Sequence, residues 1–208
     1  MQSPASITPY QTACGFPVAN YANTDYTIHM YTIRKGEVRD IPALHNIINY
    51  YITHTTYSYA LAEQDYRTTE KWFCAMNTGK FDLYVLECDG AVVGYASYGT
   101  FRQKAAYAPT VEHSIYLMPG HEKGGWGRKL LETIIASAKQ KGYWTMVAVI
   151  DGSNENSVQF HEHMGFTMVG TMVNVAQKFD RALSIVYLQY ALNEPDPKGA
   201  DHDPQPVV

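Results

Sequence analysis

The chain has 208 residues, 46% of them hydrophobic, with a formal net charge of −4 and an isoelectric point near 6.0. This length and apolar content predict one domain with a real core. The small acidic excess, without any Lys/Arg-dense run, argues against a nucleic-acid backbone as the main partner.

The cysteines and the hydropathy pattern bear on the compartment. Cys14, Cys74 and Cys88 are odd in number and widely spaced, with no C-x-x-C pair and no histidine at ligand spacing. We therefore expect free thiols in a reducing compartment and no bound metal. No stretch approaches the ~20 apolar residues of a membrane helix, and the N-terminus shows no secretory signal. These features predict a cytosolic protein without a membrane partner.

The two ends of the chain differ in composition from its middle. Residues 1–25 carry Pro, Ser, Thr and Asn without periodicity, and residues 193–208 are rich in Pro and Asp. Such compositions predict a flexible N-terminal arm and a disordered C-terminal tail. The folded domain is expected over residues 26–192.

Two helices are predicted in the first third of this domain. Residues 26–34 alternate as in a strand, and Asp40 then opens a helix with apolar residues at helical spacing. These residues are Ile41, Leu44, Ile47, Ile48, Tyr51 and Ile52. A polar loop rich in Tyr and Thr follows over 54–66. Thr68 or Thr69 is expected to cap the second helix.

A hairpin is predicted next. Residues 83–87 and 91–98 have strand character and flank Asp89-Gly90, a dipeptide that suits the positive φ angles of a tight turn. The two strands should therefore pair in antiparallel fashion.

The stretch from Thr110 to Gly142 organises the rest of the chain. It reads as an apolar strand, a glycine-rich loop and an amphipathic helix. Backbone N–H groups of such a loop, together with the first turn of the helix, favour an anion such as a phosphate. The loop fits neither the P-loop pattern nor the dinucleotide pattern G-x-G-x-x-G. Taken alone, its glycines are more typical of a plain strand-to-helix turn.

Three further elements complete the predicted domain. Residues 145–150 form an apolar strand that should lie parallel to the strand beginning at Thr110, because a helix connects the two. Asn154 and Ser157 can cap a helix. Two closing strands follow, over 166–175 and 183–191.

Two linked motifs give this order a family likeness. The loop pattern [QR]-x-x-G-x-[GA] is occupied by residues 122–127, and the pattern N-x-x-[SA]-x-x-[FL]-[YH]-x-x-x-G-[FY] follows at the expected separation. The residues that match the second pattern are Asn154, Ser157, Phe160, His161, Gly165 and Phe166. The chain resembles the GCN5-related N-acetyltransferase (GNAT) family. The resemblance implies a single α/β (α+β) domain with a mixed, mostly antiparallel twisted sheet of about seven strands. About four helices should flank this sheet, with a splay between the fourth and fifth strands.

A narrower likeness spans residues 34–192. The segments GYASYG (94–99), TVEHSIYL (110–117) and QKF (177–179) look like the branch that acetylates phosphinothricin, methionine sulfoximine and methionine sulfone. Ala182 and Ser184 depart from this branch, where relatives often carry a Trp and an acid, so the pocket wall is expected to differ there.

The resemblance implies acetyl-CoA as the acetyl donor and assigns residues to it. The pantetheine arm should pair with the backbone of residues 115–117, and the pyrophosphate should lie on the loop before the helix. The implied cofactor-binding residues are Ile115, Tyr116, Leu117, Lys123, Gly124, Gly125, Trp126, Gly127, Arg128, Asn154 and Ser157. Glu122 stands where the family carries Gln or Arg, and a carboxylate beside a pyrophosphate is unfavourable. We expect its side chain to turn to solvent while Lys123 and Arg128 supply positive charge.

The acceptor side is assigned in the same way. The implied substrate-binding residues are Arg102, Gln103, Lys104, Glu112, His113 and Ser114. Acetyl transfer to an amine needs a base, and Glu112 is the candidate, although a strand-end carboxylate in an ion pair is the alternative. His161 is a candidate acid or second base, or a packed core histidine.

The function implied is acetyl transfer to the α-amino group of a small amino acid or analogue, by an enzyme that is a homodimer. Two alternatives stay open. The chain could acetylate another amine or a protein amine, or it could be an inactive acyl-CoA-binding sensor, and Glu122 is the only residue that favours the sensor.

Overall fold

A computed structural model describes residues 29–195 of the chain. One seven-stranded sheet runs through this part, in the order β1-β2-β3-β4-β5-β7-β6. The strands are β1 (Tyr31–Lys35), β2 (Leu83–Cys88), β3 (Ala91–Thr100), β4 (Thr110–Leu117), β5 (Thr145–Asp151), β6 (Thr167–Lys178) and β7 (Arg181–Ala191). The helices are α1 (Ile41–His54), α2 (Tyr66–Met76), α3 (Trp126–Gln140) and α4 (Glu155–His163), with short 3₁₀ turns at Val38–Asp40 and Ala105–Tyr107. The predicted fold class is confirmed.

Some predictions fall outside this range. The N-terminal arm over 1–25 lies outside the described residues, as does the tail beyond residue 195. None of the described helices is long and apolar enough to cross a membrane.

The helices cover both faces of the sheet. On one face, α3 buries Leu130, Leu131 and Ile134 completely against the central strands. On the other face, α1 buries Leu44 and Ile47. Each such side chain contributes roughly 1.5–3 kcal/mol when it is removed from water. The helical periodicity in the sequence therefore marks the core correctly.

Four predicted boundaries were wrong. The first strand begins at Tyr31 rather than residue 26, because its partner β2 ends at Cys88, which pairs with Tyr31. Helix α2 is capped by Asp65, which accepts a hydrogen bond from Thr68 N at 2.7 Å, and not by Thr68 or Thr69. Strands β6 and β7 extend beyond their predicted ends and meet at a turn formed by residues 179 and 180.

The sheet opens between β4 and β5. All neighbouring strands are antiparallel except these two, which pair in parallel only from Thr110 opposite Thr145 to Glu112 opposite Val147. Beyond Glu112 the two strands part, which confirms the predicted splay. The backbone groups on this edge of β4 are therefore free of a neighbouring strand.

Close contact between β3 and β4 fixes the position of that open edge. A Cβ on Gly94 would stand 2.5 Å from Leu117 Cδ2 and 2.8 Å from the carbonyl oxygen of Tyr116. We expect Gly94→Ala to lower the free energy of unfolding by about 1–3 kcal/mol, because the backbone of β4 would have to move. Urea denaturation measures this change.

Gly99→Ala is the matched control on the same strand. Its Cβ would lie 3.4 Å from Met76 Cε, the flexible end of a side chain that can shift. This variant should be neutral or slightly stabilising, because alanine restricts the unfolded chain. Equal losses in the two variants would contradict the proposed contact.

Candidate active site

A cavity of about 410 Å³ occupies the splay between β4 and β5. It is lined by Tyr51, Tyr57, Ser58, Tyr59, Glu112, His113, Ser114, Ile115, Tyr116, Ala148, Val149, Ile150, Asp151, Asn154, Ser157, His161 and Ile185. The structure thus brings both predicted catalytic residues together with predicted residues of the acceptor and cofactor sides.

Glu112 lies in the cavity wall at the last paired position of β4. Burial raises the pKa of its carboxyl group, and the positive charge of Arg102 partly opposes this rise. No salt bridge to Glu112 is present among the described residues. A half-buried carboxylate with a raised pKa is suited to accept a proton near neutral pH.

His113 and His161 form a buried pair of imidazoles. Their rings stack with centroids 5.1 Å apart. His161 Nδ1 lies 2.6 Å from the carbonyl oxygen of Ser157, so Nδ1 carries the hydrogen and donates it. Nε2 is then a bare acceptor, and it has no partner among the described residues. Burial lowers the pKa of both rings, and for His161 the bond to Ser157 opposes the effect. Both imidazoles are therefore neutral at pH 7.

A groove of about 460 Å³ adjoins the cavity at Ile115 and Ser157. It runs between the start of α3 and helix α4, and its lining includes Gly125, Gly127 and Arg128. Gly124 and Gly125 have φ angles of 85° and 76°, which glycine adopts without strain. The turn leads the chain into α3, whose first backbone amides lack intrahelical partners.

Not all predicted cofactor residues line this groove. Trp126 instead stacks on Tyr31, with ring centroids 4.8 Å apart, and Lys129 Nζ lies 4.0 Å from the centroid of a Trp126 ring. Lys123 is exposed outside the lining, and the Gly124 backbone packs near the Trp126 indole.

Glu122 is exposed, as expected, but it is not free in solvent. Its Oε2 accepts a hydrogen bond from Gly120 N at 2.8 Å, and the residue lines the groove. Arg128 is also engaged, since its Nε lies 2.8 Å from Glu132 Oε1. The Glu122 carboxylate is thus bound to the backbone of its own loop, at Gly120.

The backbone of β4 presents alternate residues to the open edge. Met118 N donates to Val93 O on β3, and the carbonyl of Tyr116 also lies against β3 beside Gly94. Alternation then directs the backbone groups of Ile115 and Leu117 toward the splay.

Tyr51 contacts β4 at two points. Leu117 O already accepts a hydrogen bond from Tyr51 at 2.5 Å. Tyr116 instead lines the cavity with its side chain, packed 4.5 Å from the Tyr51 ring.

The loop between α1 and α2 covers the cavity. Tyr57, Ser58 and Tyr59 line it, and the loop is held to the β6–β7 hairpin by two hydrogen bonds. Tyr59 OH donates to Ser184 O at 2.9 Å, and the buried Lys178 Nζ donates to Ser58 O at 2.5 Å. The abundance of tyrosine in residues 54–66 was the available sequence signal for this role.

The other predicted acceptor residues lie elsewhere. Arg102, Gln103 and Lys104 are exposed on the loop between β3 and β4, outside the cavity lining. The charge of Arg102 still acts on Glu112, where it opposes the rise in the pKa of that carboxyl group. Asp151 lines the cavity but was not predicted, because nothing in a strand-end aspartate distinguishes it in the sequence.

Comparisons with known proteins agree with this geometry. The model of the Acetyltransferase (GNAT) domain matches residues 33–184. The L-methionine sulfoximine/L-methionine sulfone acetyltransferase of Salmonella typhimurium is 36% identical over 163 residues, which is 78% of this chain and 95% of that protein.

Two solved structures are also similar. A Salmonella typhimurium acetyltransferase with acetyl-CoA has a TM-score of 0.77 and 35% identity, covering 81% of this chain and 99% of that one. A Sinorhizobium meliloti phosphinothricin acetyltransferase in complex with acetyl-CoA has a TM-score of 0.76 and 28% identity. The match covers 79% of this chain and 89% of that one.

Proposed function

The chain belongs to the GNAT family of acetyltransferases, and we propose that it transfers acetyl from acetyl-CoA to the α-amino group of a small amino acid or analogue. Methionine sulfoximine, methionine sulfone and phosphinothricin are the acceptors that its relatives suggest. The observation that carries the proposal is the covered cavity, which holds Glu112 and adjoins the groove at the start of α3.

Glu112 is the base in this proposal. An α-ammonium group at the cavity wall would give its proton to the Glu112 carboxylate, directly or through one water. The free amine then attacks the thioester carbonyl carbon to form a tetrahedral intermediate. As this intermediate collapses, the C–S bond breaks, CoA leaves as its thiolate, and the second proton of the nitrogen passes to that thiolate. The proposed mechanism uses no metal ion.

His161 serves as a hydrogen-bond acceptor in the same reaction. Its Nδ1–H is committed to Ser157 O, and burial keeps the ring neutral, so Nε2 can accept a proton or a hydrogen bond but has none to donate. This arrangement favours a relay to Glu112 over protonation of the departing thiolate. His113 and Ser114 would line the acceptor site beside it.

We assign acetyl-CoA to the groove. Its pyrophosphate would lie on the amides from Lys123 to Arg128, and its pantetheine arm would follow the open backbone of Ile115 and Leu117 past Asn154 and Ser157. Asn154 Oδ1 accepts from Ser157 N at 3.2 Å and so caps α4 at the junction of groove and cavity. Arg102, on the exposed loop between β3 and β4 with Gln103 and Lys104, would pair with the acceptor's α-carboxylate.

A thiol-release assay tests the proposed activity. The purified chain is supplied with acetyl-CoA and a panel of amines: the three analogues, common amino acids and a lysine peptide. Release of CoA with an amino acid or analogue supports the proposal. Turnover only on the peptide would favour a protein acetyltransferase instead. Binding of acetyl-CoA without turnover on any amine would identify a sensor.

We also propose that the protein is a homodimer that works in the cytosol. Strand β6 is an edge strand with five exposed apolar residues: Met168, Val169, Met172, Val173 and Val175. Exposed apolar edges of this kind are normally covered. Reducing conditions would keep Cys74 and Cys88 as thiols.

Sedimentation at micromolar concentration tests the dimer. We expect a species of twice the chain mass and its weakening in Val173→Lys, which places a charge on the exposed strand. A single species of 23.4 kDa would contradict the dimer.

A further inference from the structure

Unpaired buried polar atoms are concentrated in the cavity. In residues 29–195, four buried side-chain nitrogen or oxygen atoms lack a hydrogen-bond partner: His113 Nδ1 and Nε2, His161 Nε2 and Asp151 Oδ2. All three residues line the cavity. Buried polar groups usually have partners, so these atoms indicate that a ligand supplies donors there. The two histidines have roles in the proposed function, whereas Asp151 has none.

Asp151 is the last residue of β5, and it is only 4% exposed. Its two carboxylate oxygens have different surroundings. Oδ1 accepts hydrogen bonds from Ser153 N and Ser153 Oγ, both at 2.7 Å, which fixes the orientation of the side chain. Oδ2 has no donor. An unpaired buried acceptor is costly, so this position favours any ligand that brings an N–H group.

The place of Asp151 indicates which part of the acceptor it meets. Glu112 belongs to β4, whereas Asp151 belongs to β5 and pairs with Ile185 of β7, so the two carboxylates stand on opposite walls of the splay. The covering loop spans both walls. Tyr57 packs toward Tyr51 on the β4 side, and Tyr59 bonds to Ser184 on the β7 side, where Asp151 contributes to the raised pKa of its phenol. An acceptor held by its amine at Glu112 would therefore direct its side chain toward Asp151.

The charged residues that line the cavity are all acidic. Its described lining contains two acids, Glu112 and Asp151, and neither Lys nor Arg. Lys178 is close to the covering loop, but its Nζ is bonded to Ser58 O. A negatively charged side chain entering the cavity would meet Asp151 without a compensating cation, and charge repulsion is strong where water is excluded.

We propose that Asp151 determines acceptor specificity: its Oδ2 accepts a hydrogen bond from an N–H group on the acceptor's side chain and disfavours acceptors with an anionic side chain. This inference rests on the proposed function. It predicts that methionine sulfoximine, whose side chain carries an N–H, is a better substrate than methionine sulfone, which has an oxygen in its place. Phosphinothricin, whose phosphinate is anionic, should be the poorest of the three.

The experiment compares kcat/KM for these three acceptors in the wild type and in Asp151→Asn. The asparagine oxygen can keep the bonds from Ser153 while its amide nitrogen replaces Oδ2, which turns an acceptor into a donor. We expect the sulfoximine-to-sulfone ratio to fall at least about tenfold and the relative rate with phosphinothricin to rise by a similar factor. Glu155→Gln removes an exposed carboxylate outside the cavity and the groove, and it should keep the wild-type ranking.

The wild-type ranking alone can overturn the inference, so the test does not depend on the variant folding. A wild type that prefers phosphinothricin, or that treats sulfoximine and sulfone alike, would refute the role of Asp151. Ratios that Asp151→Asn leaves unchanged would do the same, as would a change confined to the KM of acetyl-CoA. If the wild type acetylates none of the panel, the proposed function fails and this inference falls with it. Acetylation with the wrong ranking refutes the inference alone.

Discussion

Replacing Glu112 by glutamine is expected to lower kcat roughly 10²-fold or more at neutral pH. Glutamine keeps the shape and most of the hydrogen bonding of the side chain but cannot accept the ammonium proton. Binding of acetyl-CoA should stay near normal, because the groove at the start of α3 lies apart from this residue. Steady-state kinetics with saturating donor measures the change.

The pH dependence separates a base from a positioning residue. The loss in Glu112→Gln should shrink as pH approaches the pKa of the acceptor's amine, because free amine then forms without help. In the wild type, kcat/KM should fall on acidification as Glu112 takes a proton. Burial raises this pKa, so the fall begins at a higher pH than for an exposed glutamate. Since Arg102 opposes the rise, Arg102→Gln should move the acidic limb to higher pH still.

Glu70→Gln is the control for this series, because Glu70 is exposed on α2 and outside the cavity and the groove. It should retain wild-type kinetics. Wild-type kcat in Glu112→Gln across the pH range would show that the base lies elsewhere. A loss of equal size at every pH would leave Glu112 as a residue that only positions the amine.

Local signals in the sequence were sufficient for most of the fold. The turn at Asp89 and Gly90 has φ angles of 50° and 85°, as the dipeptide predicts, and Gly142 follows α3 at a φ of 81°. The connection between β6 and β7 was predicted over 176–182, whereas the strands continue to a tight turn at Phe179 and Asp180, with φ angles of 50° and 56°. Aspartate adopts this left-handed conformation more readily than most residues, but phenylalanine does so rarely. Tertiary pairing of the hairpin overrides local preference there.

The site residues could be predicted from the sequence only where they belong to one continuous motif. Glu112 and the glycine loop belong to one strand-loop-helix unit, so the sequence places them together. The opposite wall comes from residues far apart in the chain, such as Tyr59, which bonds to Ser184 O across 125 positions. Asp151 is identified only by the absence of a partner for Oδ2, a property of packing rather than of sequence.

Replacing Gly125 by valine is expected to raise the KM for acetyl-CoA by about 10²-fold with the fold retained. Gly125 precedes α3 and lines the groove, and no protein atom lies within 4 Å of the position of a Cβ. The added side chain would thus occupy the space proposed for the pyrophosphate. Loss of two charge-assisted hydrogen bonds, at about 1.5 kcal/mol each, corresponds to this factor.

Valine at this position also strains the backbone, because the φ of 76° is unfavourable for a β-branched residue. Gly79→Val is the matched control: its φ is 87°, its Cβ would also meet nothing within 4 Å, and it lies outside the groove. Both variants should lose stability, by about 1–3 kcal/mol. Only Gly125→Val should lose affinity for acetyl-CoA, measured by calorimetry as well as by KM. Equal KM values in the two variants and the wild type would remove the pyrophosphate from this loop.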